Sequence, residues 1–161
     1  MNFPINFIVI PAITIATAVI GARYSKQGAT SSWYHNLHKP SWTPQGSTIG
    51  EIWIFLYILT TLAFMWYWNV PVFSWVHYIV GAIMLFNAFL NTYWNKLFFV
   101  EHNIEKAFKE MKLLNATSVV VAVVMIFQAP IAAVGMLPYI IWVGIATRIT
   151  REILENQKTD L

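Results

Sequence analysis

Residues 49–68, IGEIWIFLYILTTLAFMWYW, hold twenty positions with one charged side chain, Glu51. A helix rises 1.5 Å per residue, so about 20 apolar residues match the roughly 30 Å hydrocarbon core of a bilayer. This stretch is long enough and apolar enough to span. A β-barrel strand would be shorter and would alternate in polarity, and this run does neither. Working outward, four more apolar stretches follow the same pattern. The sequence predicts helices over about 5–22, 49–68, 73–98, 104–129 and 136–155, with the apolar part of the fourth beginning at Leu113. The expected fold class is all-α, an integral membrane bundle of five transmembrane helices in a single domain, with residues 23–48 as the longest polar gap.

Composition agrees. Of 161 residues, 58% are hydrophobic and 11% charged, against about 25% charged in a soluble domain. Lipid is therefore the expected solvent. Without cysteine, neither a disulfide nor a thiolate metal site can form. The net charge of +3 does not imply a nucleic-acid partner, because the basic residues are strung along segment ends and form no patch.

Their placement is one-sided. Arg23, Lys26 and Lys39 lie between segments one and two. Lys96, Lys106, Lys109 and Lys112 surround the turn between three and four, and Arg148, Arg151 and Lys158 lie at the C-terminal end. The N-terminus and the turns NVPV and APIAAVGMLP carry none. Basic loops stay cytoplasmic, which predicts an outside N-terminus and a cytoplasmic C-terminus. Arg23 and Lys26 follow the first segment instead of preceding it, so that segment reads as an uncleaved anchor and not a signal peptide. Thr48 with Glu51 is expected to form a capping box, and Asn103 to cap the helix leading into segment four. Pro130 is expected to end that segment and Pro138 to open the next.

Eight tryptophans need a reason. Trp66, Trp68 and Trp75 flank the NVPV turn and fit an interfacial aromatic belt. Trp53, Tyr57, Thr60 and Phe64 share one face of segment two, and Tyr139, Trp142, Ala146 and Ile149 share one face of segment five. Such stripes serve either helix packing or the wall of a ligand site. Asn87, Asn91 and Asn95, four residues apart, line one face of segment three. Amides in hydrocarbon join helices or orient a ligand in a cavity. Ala12 with Ala16, and Gly81 with Ala88, mark faces for close packing within the bundle or across a dimer. His35 and His38 lie near each other, but no third metal ligand accompanies them, and no metal site is expected. Acid–base hydrolysis has no visible equipment.

The gap itself carries WYHNLHKPSWTPQG at 33–46, an unusual concentration of large rings in a loop. With NAFLNTYWNKLFF at 87–99 and MLPYIIWVGIAT at 136–147, it resembles the translocator protein family, which includes tryptophan-rich sensory proteins and the peripheral benzodiazepine receptor. Gln45, Thr92 and Thr150 depart from the residues most common in that family. The cholesterol-recognition pattern is absent, since the first basic residue after Tyr139 is Arg148.

The resemblance implies a homodimer of five-helix bundles in the lipid bilayer, with a cavity opening toward the first loop. It implies porphyrin or another flat apolar small molecule as ligand, with no resident cofactor. Carried over by motif, the ligand-binding residues are Trp33, Tyr34, Trp42, Trp53, Tyr57, Asn87, Asn91, Trp142 and Ala146. The first loop becomes a lid. An enzyme-like alternative, light-dependent porphyrin breakdown, would use Trp53 and Trp142 as redox partners, and a scaffold or sensor without turnover is the third reading. The resemblance implies the cell membrane in a prokaryote and the mitochondrial outer membrane in a eukaryote.

Overall fold

The computed structural model describes residues 5–70 and 75–159. Among them there is no strand, and six helices follow one another: α1 (Asn6–Ala29), α2 (Ser32–His35), α3 (Gly46–Trp68), α4 (Trp75–Phe99), α5 (Ile104–Ile126) and α6 (Pro130–Thr159). The expected start of the third segment at Phe73, and Pro71 and Val72 of the NVPV turn, lie outside the described residues.

Four helices, α1, α3, α4 and α6, are long and apolar enough to cross a membrane. In α5 the first turns carry Glu105, Lys106, Lys109, Glu110 and Lys112, and the apolar part runs from Leu113 to Ile126. That part is about 21 Å long at 1.5 Å per residue, shorter than a full hydrocarbon core.

The helices close into a ring. Helix α1 packs on both α3 and α4, α3 on α6, α6 on α5, and α5 on α4. The inside is filled by Leu56, Phe64 and Tyr67 of α3, Val80 and Leu90 of α4, Leu114, Val121 and Met125 of α5, and Met136, Tyr139 and Val143 of α6. The outside is also apolar. Ile54, Phe55, Ile58 and Leu62 of α3, Phe86 and Phe89 of α4, and Ile141 of α6 are all exposed. Soluble proteins rarely leave so large a continuous patch uncovered, and the ring is built to face lipid.

Close approach between α1 and α4 depends on glycine. A Cβ on Gly21 would lie 3.2 Å from the Asn95 amide nitrogen, and one on Gly28 would run into the Phe99 carbonyl oxygen. Gly81 of α4 faces the Trp68 indole of its own chain, 3.0 Å from where its Cβ would stand. Its small size therefore serves packing within the bundle. Trp68 accordingly wedges against α4, half-buried, while Trp66 and Trp75 are exposed at 55% and 70% as belt residues would be.

Several boundaries differ from the sequence reading. Helix α1 continues past Ala22 to Ala29, because the segment after the apolar run is still held against α4 through Gly28. Helix α3 starts at Gly46, with Gln45 as N-cap and no side-chain cap bond. Thr48 and Glu51 thus lie inside the helix, and no capping box forms. The Asn103 cap is present, its Oδ1 accepting from the Lys106 N–H at 3.0 Å.

The α5–α6 connection is short. Ala129 accepts the Ala133 N–H at 3.0 Å, so Pro130 opens α6 at the position where its missing N–H costs nothing. Pro138 lies inside α6. A proline costs a helix one backbone bond, which neighbouring helices make tolerable in a membrane bundle. The stretch APIAAVGMLP, read as a turn, is mostly helix.

Candidate functional site

The early start of α6 decides what lies inside the ring. Gly135 packs on Ala63, so that a Cβ added to it would stand 3.0 Å from the Ala63 Cβ, and α3 and α6 run antiparallel. Counting along both axes puts residue 145 opposite Trp53, so Trp142 lies within about 5 Å of the same level. Had α6 begun at Met136, the two tryptophans would have sat at opposite ends. Both belong to one apolar cluster, Trp142 buried in it and Trp53 packed against it. The Trp53 ring lies 5.6 Å from Tyr57 and stands edge-on to Tyr139 at 6.1 Å. Such offset and edge contacts are favourable for aromatic rings.

Beside these rings runs a polar chain through the apolar interior. The Tyr57 hydroxyl donates to Asn91 Oδ1 at 2.6 Å. Asn91 Nδ2 donates to the Tyr139 hydroxyl at 3.2 Å, and that hydroxyl donates to Asn87 Oδ1 at 3.1 Å. Asn87 Nδ2 reaches Thr117 Oγ1 and Ser118 Oγ, each at 2.9 Å, and the Leu114 carbonyl at 3.1 Å. One run of hydrogen bonds therefore joins α3, α4, α6 and α5. A small cavity of about 50 Å³ lies against it, lined by Tyr57, Thr60, Asn87, Asn91 and Tyr139 together with Thr14 and Thr17 of α1. Asn95 stands apart from the chain. Its Nδ2 donates to the Asn91 carbonyl at 2.9 Å, a bond within α4.

The loop residues are docked at one end of the ring. Trp33 stacks on His102 at 4.1 Å and meets Phe98 edge-on at 5.5 Å. Tyr34 lies 5.5 Å from Phe99. The Lys39 ammonium sits 3.5 Å over the Tyr34 ring, and burial lowers its affinity for a proton. Leu37 is buried with Phe98, Ile104 and Ile149 in a second core cluster. Farther along, the Trp42 indole N–H donates to Glu152 Oε2 at 3.0 Å, with the Arg148 guanidinium 5.2 Å over its ring. Asn156 Nδ2 donates to the His38 carbonyl at 3.0 Å. The loop is thus strapped from the α4–α5 turn across to the last turns of α6.

Of the residues carried over by motif, the structure joins Tyr57, Asn87 and Asn91 by hydrogen bonds. Trp53 lies against that group, and Trp142 and half-buried Ala146 follow on α6. The ring partners of Trp33, Tyr34 and Trp42 are the strap's own anchors. Sequence reasoning missed Tyr139 as the hinge of the network, although its place three residues before Trp142 on the same stripe was a usable signal. It also missed His102, which adopts φ 52°, and Glu152 and Asn156, whose loop contacts span more than a hundred residues. Glu110 is a further one. It is buried, and neither carboxylate oxygen has a hydrogen-bond partner among the described residues.

A ring of apolar helices around a short polar chain, with an aromatic strap docked at one end, defines a multi-pass membrane protein. The chain matches the TspO/MBR family over residues 7–155 and belongs to it. It is similar to the uncharacterized membrane protein YtaB of Bacillus subtilis (strain 168), with 30% identity over 71% of this chain and 74% of that one. It is also similar to the tryptophan-rich protein TspO of Bacillus cereus, at 29% identity over 72% of this chain and 74% of that protein. The tryptophan-rich protein TspO of Archaeoglobus fulgidus is 28% identical over 88% of this chain and 92% of its own length.

Proposed function

We propose that this protein is a membrane receptor or carrier that takes up porphyrins and similar flat apolar ligands inside the ring, beneath the strap. The observation that carries this reading is the Trp53–Tyr57–Tyr139 aromatic set joined to the Asn91–Asn87 amides. Indole and phenol faces suit a macrocycle by offset stacking, and the amides suit its polar atoms. Arg23, Lys26 and Lys39 would meet the propionates at the strap end. The 50 Å³ beside the amides has room for a few waters and none for a macrocycle. Ligand binding therefore goes with displacement of the strap and of the Trp53 ring.

In this reading α5 is a fifth span. Its support is the exposed apolar face of Val119, Val120, Val123 and Ile126. The one-sided basic residues favour a cytoplasmic strap, α4–α5 turn and C-terminus in a prokaryotic cell, and the family resemblance favours a homodimer as the working form. Orientation is tested in this cysteine-free chain by cysteines at Asn69 and Lys109, both exposed. On intact cells an impermeant maleimide should label Asn69→Cys alone, and Lys109→Cys only after lysis. The reverse pattern overturns the orientation.

The binding test uses tryptophan fluorescence quenching by protoporphyrin IX. Replacing Trp53 or Trp142 by Phe should weaken binding several-fold, since lost stacking is worth on the order of 1 kcal/mol. Trp66→Phe and Trp75→Phe should leave it unchanged. Equal losses in all four would mean that pigment merely partitions onto aromatic surface. An enzyme-like second reading is favoured by the placing of Trp53 and Trp142 at one level. It requires illuminated pigment to be lost faster than in detergent alone, and more slowly in the two Phe variants.

A further inference from the structure

A larger cavity, about 410 Å³, opens between α1, α3 and α4 at the end of the ring away from the strap. Its size falls within the about 300–1,000 Å³ of small-molecule sites. Its walls include Val9 and Ile13 of α1, Phe64 and Trp68 of α3, and Ala82 and Leu85 of α4, with no charged side chain anywhere in the lining.

Among the buried side-chain polar atoms that line this groove, one has no hydrogen-bond partner among the described residues. Thr14 Oγ1 donates to the Ile10 carbonyl at 3.2 Å, Thr60 Oγ1 to the Leu56 carbonyl at 2.8 Å, and Thr61 Oγ1 to the Tyr57 carbonyl at 2.7 Å. The three threonine hydroxyls thus have partners on their own helices, and Thr61 Oγ1 also lies 2.9 Å from Thr14 Oγ1 across α3 and α1. Asn6 is different. It is 9% exposed, lines the groove, and its Nδ2 has no hydrogen-bond partner among the described residues. A buried donor without an acceptor costs about 1–3 kcal/mol, so the groove is complete only when an acceptor arrives there.

We propose that this groove binds one acyl chain of a membrane phospholipid, with the ester carbonyl accepting from the Asn6 amide. A porphyrin does not suit it. Arg23, the nearest basic residue along α1, is seventeen residues from Asn6, about 25 Å along the helix, and propionates would be left without a cation. An acyl chain brings no charge into the groove, and its ester lies at its end. Asn6 lies in the first turn of α1, the level at which a spanning helix meets the glycerol region of the bilayer. The headgroup then stays outside the lining.

Native mass spectrometry tests this on the full chain reconstituted with palmitoyl-oleoyl phosphatidylglycerol and then exchanged into detergent. One phospholipid per chain should be retained. Ala82→Phe, at an exposed position that lines the groove, should abolish retention, and Leu85→Trp should do the same if the first variant folds poorly. Asn6→Leu should weaken retention about five-fold, the worth of one hydrogen bond. Wild type should discriminate to the same degree against the ether-linked analogue, which lacks the carbonyl. Equal retention by wild type and both filled variants, or no retention by any of them, overturns the proposal. Loss of a crosslinked dimer in Ala82→Phe with lipid retention unchanged would assign the groove to a second copy instead.

Discussion

Gly28→Ala should be among the most damaging single changes in this chain, lowering the melting temperature in detergent by roughly 5–10 °C. The new Cβ would run into the Phe99 carbonyl oxygen and stand 2.7 Å from the Phe99 Cβ. One of those neighbours is backbone, so no rotamer change relieves the overlap, and α1 must move off α4. Overpacking of this kind costs about 1–3 kcal/mol and sometimes more. Gly50→Ala is the opposite case. Nothing lies within 4 Å of its added Cβ, and it sits inside α3. Alanine there should stabilise the helix by about 0.5–1 kcal/mol through propensity alone. Differential scanning fluorimetry separates the two, and equal shifts would show that α1–α4 contact does not limit stability.

Asn87→Leu should come next, at about 2–3 kcal/mol. Asn87 bonds to Leu114, Thr117, Ser118 and Tyr139, and interhelical bonds in membranes average about 0.6 kcal/mol each. Leucine removes them together and leaves the Tyr139 hydroxyl without its acceptor. Asn95→Ala breaks one bond within α4 and should cost well under 1 kcal/mol. A comparable loss in both variants would mean that the amides act through bulk and not through the network.

The amide ladder was legible because 3.6-residue periodicity alone places 87, 91 and 95 on one face. Which rung matters was not, since that depends on what the opposing helix offers. Asn87 and Asn91 meet Tyr139 from α6, whereas Asn95 turns back onto the Asn91 carbonyl of its own helix. The apolar runs announced the helices, and the charges marked their ends. Prolines misled at α6, because a proline can either open a helix or sit tolerated within it. Pro130 does the first and Pro138 the second. The rings of 33–46 announced a site, but their anchors Glu152 and Asn156 are distant in sequence and ordinary in type.

Helix α6 has 30 residues, about 45 Å of rod for a hydrocarbon core of about 30 Å. The excess must project or tilt, and its last turns carry the side chains that hold Trp42 and the His38 carbonyl. A bilayer that thins or thickens is met by a change of tilt, and the strap is fastened to the moving end. A change of tilt therefore carries the anchors of Trp42 and of the His38 carbonyl with it.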